Sequence, residues 1–333
     1  MLAAVLLLAQ DFTQYKPVKE IVWTMDRVRV SADLKHITCD RGVLTTADWS
    51  QNGETVLLKD LIFTPDPERL LAISSDGLFV YARKDFRAVS TQGVSGNFAG
   101  GDISPDGRHL IGRTSLPDGL VVVTDWESNR VQQSRKCDVL TFASFVDREK
   151  FVTVGRRGIV HLWSLRQSAP LKELSLESVG GGAAAFSPDR RALYVLASDG
   201  VHRVSTVDFT ESVAKPEEYA AAARLEAGAK GGLVAVWTEK SGIAILTAAA
   251  LQPAGAVAPG EAAVKSVSFS PEEKHLVVAD ASGRLRIFKA PDWKAVGEIQ
   301  LPAAAARVVA GPDLKWILAA TARNAYVYAA KKK

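Results

Sequence analysis

The stretch Asp102–Gly112, DISPDGRHLIG, places a tight turn between two short apolar runs. In Ser104-Pro105-Asp106-Gly107, serine suits the first position of a type I turn. Proline presets φ at the second position, and glycine closes the fourth. A single turn of this kind says only that strands flank it. Its recurrence at a fixed interval would make it one tooth of a repeat.

It does recur. VRVSADLKHI ends at Ile37, LIFTPDPERL at Leu70, GDISPDGRHL at Leu110, ASFVDREKF at Phe151 and AAFSPDRRAL at Leu193. RLEAGAKGGL, the weakest copy, ends at Leu233; VSFSPEEKHL and VVAGPDLKWI end at Leu276 and Ile317. A second marker follows each turn, because the next apolar run stops at Gly42, Gly77, Gly119, Gly158, Gly200, Gly242, Gly283 or Asn324. Both markers share a period of about 40 residues, and together they count eight units.

Within a unit, the run after the turn is almost wholly apolar, as in LVVADA from Leu276 or LYVLAS from Leu193. Five or six such residues, rich in Val and Leu, read as a strand buried on both faces. Asp76-Gly77, Asp118-Gly119 and Asp199-Gly200 supply the positive φ of a two-residue hairpin. A third strand returns (RLRIFK from Arg284), and a looser fourth, such as VGEIQL from Val296, leads onward. Each unit is thus a four-stranded antiparallel meander with two apolar faces, which only stacking against neighbours can bury. The last unit stops after AYVYA, Ala325 to Ala329, without a fourth strand, and the unused YKPVKEIVW (Tyr15 to Trp23) can supply it. Pro216 to Lys230 looks helical by itself, but the repeat register demands a loop and an inner strand there.

Composition agrees with a globular chain. Of 333 residues, 47% are hydrophobic and 23% charged, so disorder is excluded. The net charge of +4 is spread among Asp and Glu, which argues against a nucleic-acid footprint. Cys39 and Cys137 are too few for a disulfide framework or a zinc knuckle. No apolar run approaches the roughly eighteen residues of a membrane span. Residues 1–12 form an apolar leader around LAAVLLLA. It is read either as a signal-peptide remnant, implying a periplasmic or secreted protein, or as a leader on a cytoplasmic one. Residues 13–330 are the repeat domain, and 331–333 a basic tail.

The units resemble WD-repeat and related bacterial propeller repeats from about residue 15 to 330. FSPDRRALYVLASDGVHRV (Phe186 to Val204), SFSPEEKHLVVADASGRLRIF (Ser268 to Phe288) and GRRGIVHLWSLRQSAPLKEL (Gly155 to Leu174) carry the likeness. Leu162-Trp163-Ser164 stands where the family has Trp-Asp; no unit carries that dipeptide, and none has the family's Gly-His pair. The expected fold is all-β: a single propeller of four-stranded antiparallel blades, eight by repeat count with seven as the alternative, closed by an N-terminal strand. The family usually has seven.

Chemistry-bearing motifs are sparse. His36, His109 and His275 share one slot before the second strand, so they are spread around the ring and read as surface turn residues. Ser212-Val213-Ala214-Lys215 fits S-x-x-K without its companion motifs. Trp163, Trp237 and Trp316 read as blade packing, whereas Trp49, Trp126 and Trp293, near third-to-fourth connections, are the surface candidates. The resemblance implies that the second-to-third hairpins share a partner-binding face. Arg41, Arg156, Arg157 and Arg323 are the binding candidates there, with Arg41 and Arg323 neighbours across the closure. Apart from Arg29, Asp102 and Glu226, the inner strands bring almost nothing ionisable. The expectation is therefore a non-catalytic, monomeric platform for another protein, without cofactor, metal or nucleic acid. The alternative is a propeller hydrolase of the lactonase kind, with a site in the central channel.

Overall fold

The computed structural model describes residues 15–22, 28–39, 42–52, 58–74, 77–89, 94–95, 98–114, 120–125, 128, 130–136, 139–177, 179–215, 224–238, 242–258 and 260–329. The leader, the tail, Arg41, Trp126, Cys137 and the segment 216–223 lie outside them. The chain is an all-β propeller built from antiparallel sheets in sequence order. Among the described residues seven sheets are complete four-stranded blades, so the alternative of seven blades matches the structure and the count of eight taken from the repeats is corrected, because the first unit does not pair four strands. The first repeat unit is a further sheet of three strands, His36–Cys39, Gly42–Thr45 and Gln51–Asn52, with Val30 bridged to Ile37 on its inner side. The register wins in the ambiguous sixth unit, where Arg224–Ala227 is the inner strand.

The second strand explains why the blades stack. In His275–Asp280 every residue is buried. Leu276 and Val278 enter a core shared with Trp237, Ile243 and Ile245 of the preceding blade. Val277 and Ala279 point the other way, into a core with Ile317, Ala319 and Tyr328 of the following one. Side chains alternate with period two along a strand, so an unbroken apolar run must find apolar partners on both sides. The same alternation holds in Arg69–Ile73. Leu70 and Ala72 pack toward Ile37, Leu44 and Trp316, while Leu71 and Ile73 pack toward Phe98 and Leu110. Each fully buried Leu or Val contributes roughly 1.5–3 kcal/mol.

The recurrent turn has a common geometry. The Gly107 N–H donates to the Ser104 carbonyl at 2.8 Å, as do Leu34 to Ser31, Arg190 to Ser187 and Glu273 to Ser270. The serine hydroxyl also locks the following strand, accepting the N–H five residues on: His109 to Ser104 at 2.9 Å, Ala192 to Ser187 at 2.9 Å and His275 to Ser270 at 3.2 Å. In the aspartate-bearing copies the hydroxyl donates to that carboxylate, Asp106 at 2.5 Å and Asp189 at 2.6 Å. The fourth position is left-handed, φ +75° at Gly107, +56° at Arg190 and +57° at Glu273. Glycine takes that conformation freely, and other residues accept a cost of about 1–2 kcal/mol.

The ring closes as the sequence suggests. Lys16–Val22 pairs antiparallel with Asn324–Ala329 as the fourth strand of the last blade. Ile21 is buried beside Ala325 and Val327, and the Tyr15 hydroxyl donates to the Leu314 carbonyl. Burial alone pushes the Tyr15 phenol up to about 12. Two chain ends far apart in sequence are thereby tied into one sheet.

Two residue-level expectations are corrected. Trp49 and Trp293 are buried, not surface platforms; Trp49 meets Trp316 edge-on and Trp293 packs on Phe269. Each sits at a left-handed residue of the third-to-fourth turn (φ +60° and +51°), which swings the ring back over the blade edge. The three equivalent histidines are half-buried or buried rather than on the surface. The Nδ1 atoms of His36, His109 and His275 are enclosed without a hydrogen-bond partner among the described residues. Burial pushes the pKa of all three down, favouring the neutral ring, and at His36 it does so against the Asp33 carboxylate 3.7 Å from Nδ1. Trp163, Trp237 and Trp316 are buried blade-packing residues as expected, and the Trp163 indole donates to the Thr153 hydroxyl at 2.9 Å.

Candidate functional site: the charged belt of the central channel

The inner strands and their turns bring a chain of ionisable groups to the inner side of the ring. Arg29 precedes the Val30 bridge of the first unit, and Asp60 opens the inner strand Asp60–Phe63 of the second. Arg29 grips Asp60 through two bonds, Nε to Oδ1 at 3.0 Å and Nη2 to Oδ2 at 2.7 Å. Burial opposes the Arg29 charge, but the hydrogen bonds and charge of Asp60, helped by Asp102, outweigh it and raise the pKa. A planar guanidinium meeting both oxygens of one carboxylate is the geometry that holds register between two blades.

The second group spans three blades. Asp102, on Phe98–Ile103, is buried; its Oδ2 accepts from the Ser144 hydroxyl, from the Phe145 N–H at 3.1 Å and from Arg190 Nη1 at 2.9 Å. Arg190 Nη1 also donates to the Phe145 carbonyl. The left-handed φ of the turn's fourth residue aims Arg190 inward from the fifth unit to the third and fourth. Glu273, in the same turn position of the seventh unit, reaches back instead to the Gly232 N–H at 3.1 Å. Farther round, Glu226 faces Arg307 at 3.9 Å, with its carboxyl pushed up by burial against the pull of Arg307. Between them, Ser266 and Ser268 accept the N–H groups of Val308 and Ala310, each at 3.1 Å.

Cavities gather around this belt. A mouth of about 670 Å³ opens between the turns of the first three units, lined by Asp33, Phe63, Pro65, Pro67, Arg69 and Arg83 above Arg29, Asp102 and Arg190. A chamber of about 300 Å³ lies beyond the same three belt residues, walled by Arg113, Thr141, Phe142, Ser144 and Phe186. Two further hollows, about 310 and 790 Å³, continue along the turns past Arg108 and past Arg148, Lys150 and Pro188.

The expected binding arginines are elsewhere. Arg156 and Arg157 are exposed on the hairpin between Lys150–Gly155 and Ile159–Ser164. Arg323 is exposed on the turn before Asn324–Ala329. These second-to-third connections are at the opposite ends of the strands from the S-P-D turns, so the structure does not bring them to the mouth. The three inner-strand groups singled out by sequence, Arg29, Asp102 and Glu226, are all in the belt, but their partners Asp60, Arg190 and Arg307 were missed.

No protein-family model matches the chain, and no curated protein matches it by sequence. Solved structures do match. The C-terminal WD40 domain of Sif2 superposes with a TM-score of 0.68 at 12% identity, covering 96% of this chain and 99% of that one. The computationally designed Ika8 protein gives 0.68 at 14% identity, covering 95% and 98%. These likenesses establish the fold class, a WD40-like β-propeller, across nearly the whole chain.

Proposed function

We propose that this propeller is a non-catalytic platform that binds another protein through the turn-side face around the channel mouth. The observation that carries the reading is the run of adjoining hollows on that face, from Phe63 and Arg83 past Pro105 to Pro188, with Arg69 and Asp106 lining neighbouring hollows in common. Arg83 lies over the Phe63 ring at 5.9 Å, giving the rim an aromatic–guanidinium pair of the kind favoured at interface centres. The belt beneath supports the platform over the hydrolase alternative. Asp102 already accepts three hydrogen bonds, and a carboxylate so engaged is a poor general base.

The test is position-dependent capture. The tagged full chain, an Arg83→Glu/Pro67→Asp variant and an Arg156→Glu/Arg157→Glu variant are used as baits in native extract. The reading expects one protein to be retained by the wild type and the hairpin variant and lost by the mouth variant. Loss with the hairpin variant alone would move the interface to the other face.

A further inference from the structure

We propose that the mouth is gated by acid: protons taken up by His36 and His109 rearrange the turns that form its rim and release the protein bound there. This regulation rests on the mouth being the binding face. The mouth lies between the turns of the first three units, and a histidine opens the second strand of the two outer ones. His36 starts His36–Cys39 and His109 starts His109–Thr114, with Arg69 in the same slot between them. Each Nδ1 is enclosed without a hydrogen-bond partner among the described residues, so a proton placed there has to draw an acceptor to it. The carboxylates that face the rings are the ones that already hold the turns. Asp33 stands 3.7 Å from His36 Nδ1, and it accepts the Ser31 hydroxyl at 2.5 Å and the Lys35 N–H at 3.0 Å. Asp106 faces His109 and accepts the Ser104 hydroxyl at 2.5 Å and the Arg108 N–H at 3.2 Å. Asp125 faces it from the third strand and is held by Arg108 Nε at 2.9 Å.

These carboxylates connect the rings to the binding surface. Asp33 and Arg83 line the mouth, and Asp106 and Arg108 line the adjoining hollow. Drawing either aspartate to its ring therefore remodels the wall and loosens the turn at once, and it adds positive charge beside the facing cations. Those cations are Arg83 and Lys35 at His36 and Arg108 at His109. Burial holds both imidazoles below the ordinary 6.5. At His36 the two cations add to burial against Asp33; at His109 Asp106 and Asp125 oppose it. The rings thus take up protons below pH 6.5, where both turn aspartates still carry charge. Ser31 and the Lys35 N–H hold Asp33 below the usual carboxylate range, and at Asp106 burial is outweighed by Ser104 and the Arg108 N–H. The fifth unit supplies a turn of the same build without the switch. Ser187 donates to Asp189 at 2.6 Å and accepts the Ala192 N–H at 2.9 Å, with alanine in the histidine slot.

The experiment is amide hydrogen exchange of the full chain at about pH 7.5 and about pH 5, corrected for the intrinsic pH dependence of exchange. Protection in the turns 31–36 and 104–109 should fall about fivefold or more at the lower pH, while the turn 187–192 keeps its own. The double variant His36→Asn/His109→Asn should lose this response, and His275→Asn, on a turn outside the hollows, should retain it. Should the double variant fail to fold, the comparison of the three turns within the wild type decides the matter. In parallel, the tagged wild type should retain about tenfold less partner at pH 5 than at pH 7.5, and the double variant the same amount at both. Unchanged protection in turns 31–36 and 104–109, an equal fall in turn 187–192, a double variant that responds like the wild type, or equal retention of the partner at both pH values overturns the proposal. Capture of no protein at pH 7.5 would instead sink the platform reading, and the exchange data would still decide whether protons reshape the mouth.

Discussion

Replacing Asp102 by alanine probes the belt most severely. The substitution removes one buried carboxylate and strands three donors: the Ser144 hydroxyl, the Phe145 N–H and the Arg190 guanidinium. Breaking a buried ion pair from one side costs roughly 3–5 kcal/mol, mostly through the unpaired groups left behind. Arg190 is one-third exposed, so water re-solvates part of its charge and the lower half of that range is expected. Unfolding entropy of about 2.1 cal/mol/K per residue makes each kcal/mol worth about 1.4 °C in a chain of 333 residues. The midpoint in scanning calorimetry at pH 7 should therefore fall by about 4–6 °C. Arg190→Met should cost less, since Asp102 keeps Ser144 and Phe145. The double variant should fall short of the sum by at least about 1 kcal/mol, as expected of directly coupled groups. A drop under about 1 °C in Asp102→Ala, or strict additivity, would refute the claim that the three inter-blade bonds act together.

Three other outcomes follow from the same geometry. Ser270→Ala leaves the buried His275 N–H without its hydroxyl acceptor and should cost about 1–3 kcal/mol, read as a lower denaturant midpoint with unchanged slope. His36, His109 and His275 have folded-state pKa values below the unfolded value of about 6.5. Below that pH the unfolded chain takes up protons that the native chain refuses, so the stability they contribute is complete above about pH 7 and shrinks as pH falls. The midpoint should decline between about pH 7 and 5.5, less steeply in His275→Asn, and a flat or rising profile there would count against enclosed neutral rings. Ile21→Asp puts a charge among Ala325 and Val327, so it should release the N-terminal strand and speed amide exchange across residues 324–329, with blades on the far side of the ring unaffected.

The fold was legible because its determinants are local and repeated. A turn that opens on serine in four units, an apolar strand and a hairpin glycine in seven units each carry their own chemistry, and eight units read together remove the ambiguity of any one. That is why the register correctly made Arg224–Ala227 a strand where local propensity suggested a helix. The belt was legible only by halves. Its pairs join residues 31, 42 and 88 positions apart, and no local pattern announces such pairings. Asp60 lies one residue before the apolar run that marks its strand, and Arg190 looks like any exposed turn residue until its left-handed backbone directs it inward. The ring positions at the third-to-fourth turns had a signal that could have been read. Asp-Trp or Asp-Phe recurs at Asp48-Trp49, Asp85-Phe86, Asp208-Phe209 and Asp292-Trp293, one period apart or a multiple of it. In three of these the aspartate caps the turn by accepting the N–H two residues on, at Ser50, Arg87 and Thr210. Asp208, whose carboxyl Ser205 and Thr210 hold at about 2, shows how strongly those bonds favour the charged form.

The central claim is that recognition occurs on the turn-side face above the belt. Site-specific photo-crosslinking addresses it directly, with a benzophenone side chain placed either at Arg69, on the rim of the mouth, or at Arg157, on the exposed hairpin opposite. The account predicts a discrete crosslinked partner from position 69 and none from position 157. A partner captured from position 157 and not from 69 would contradict it.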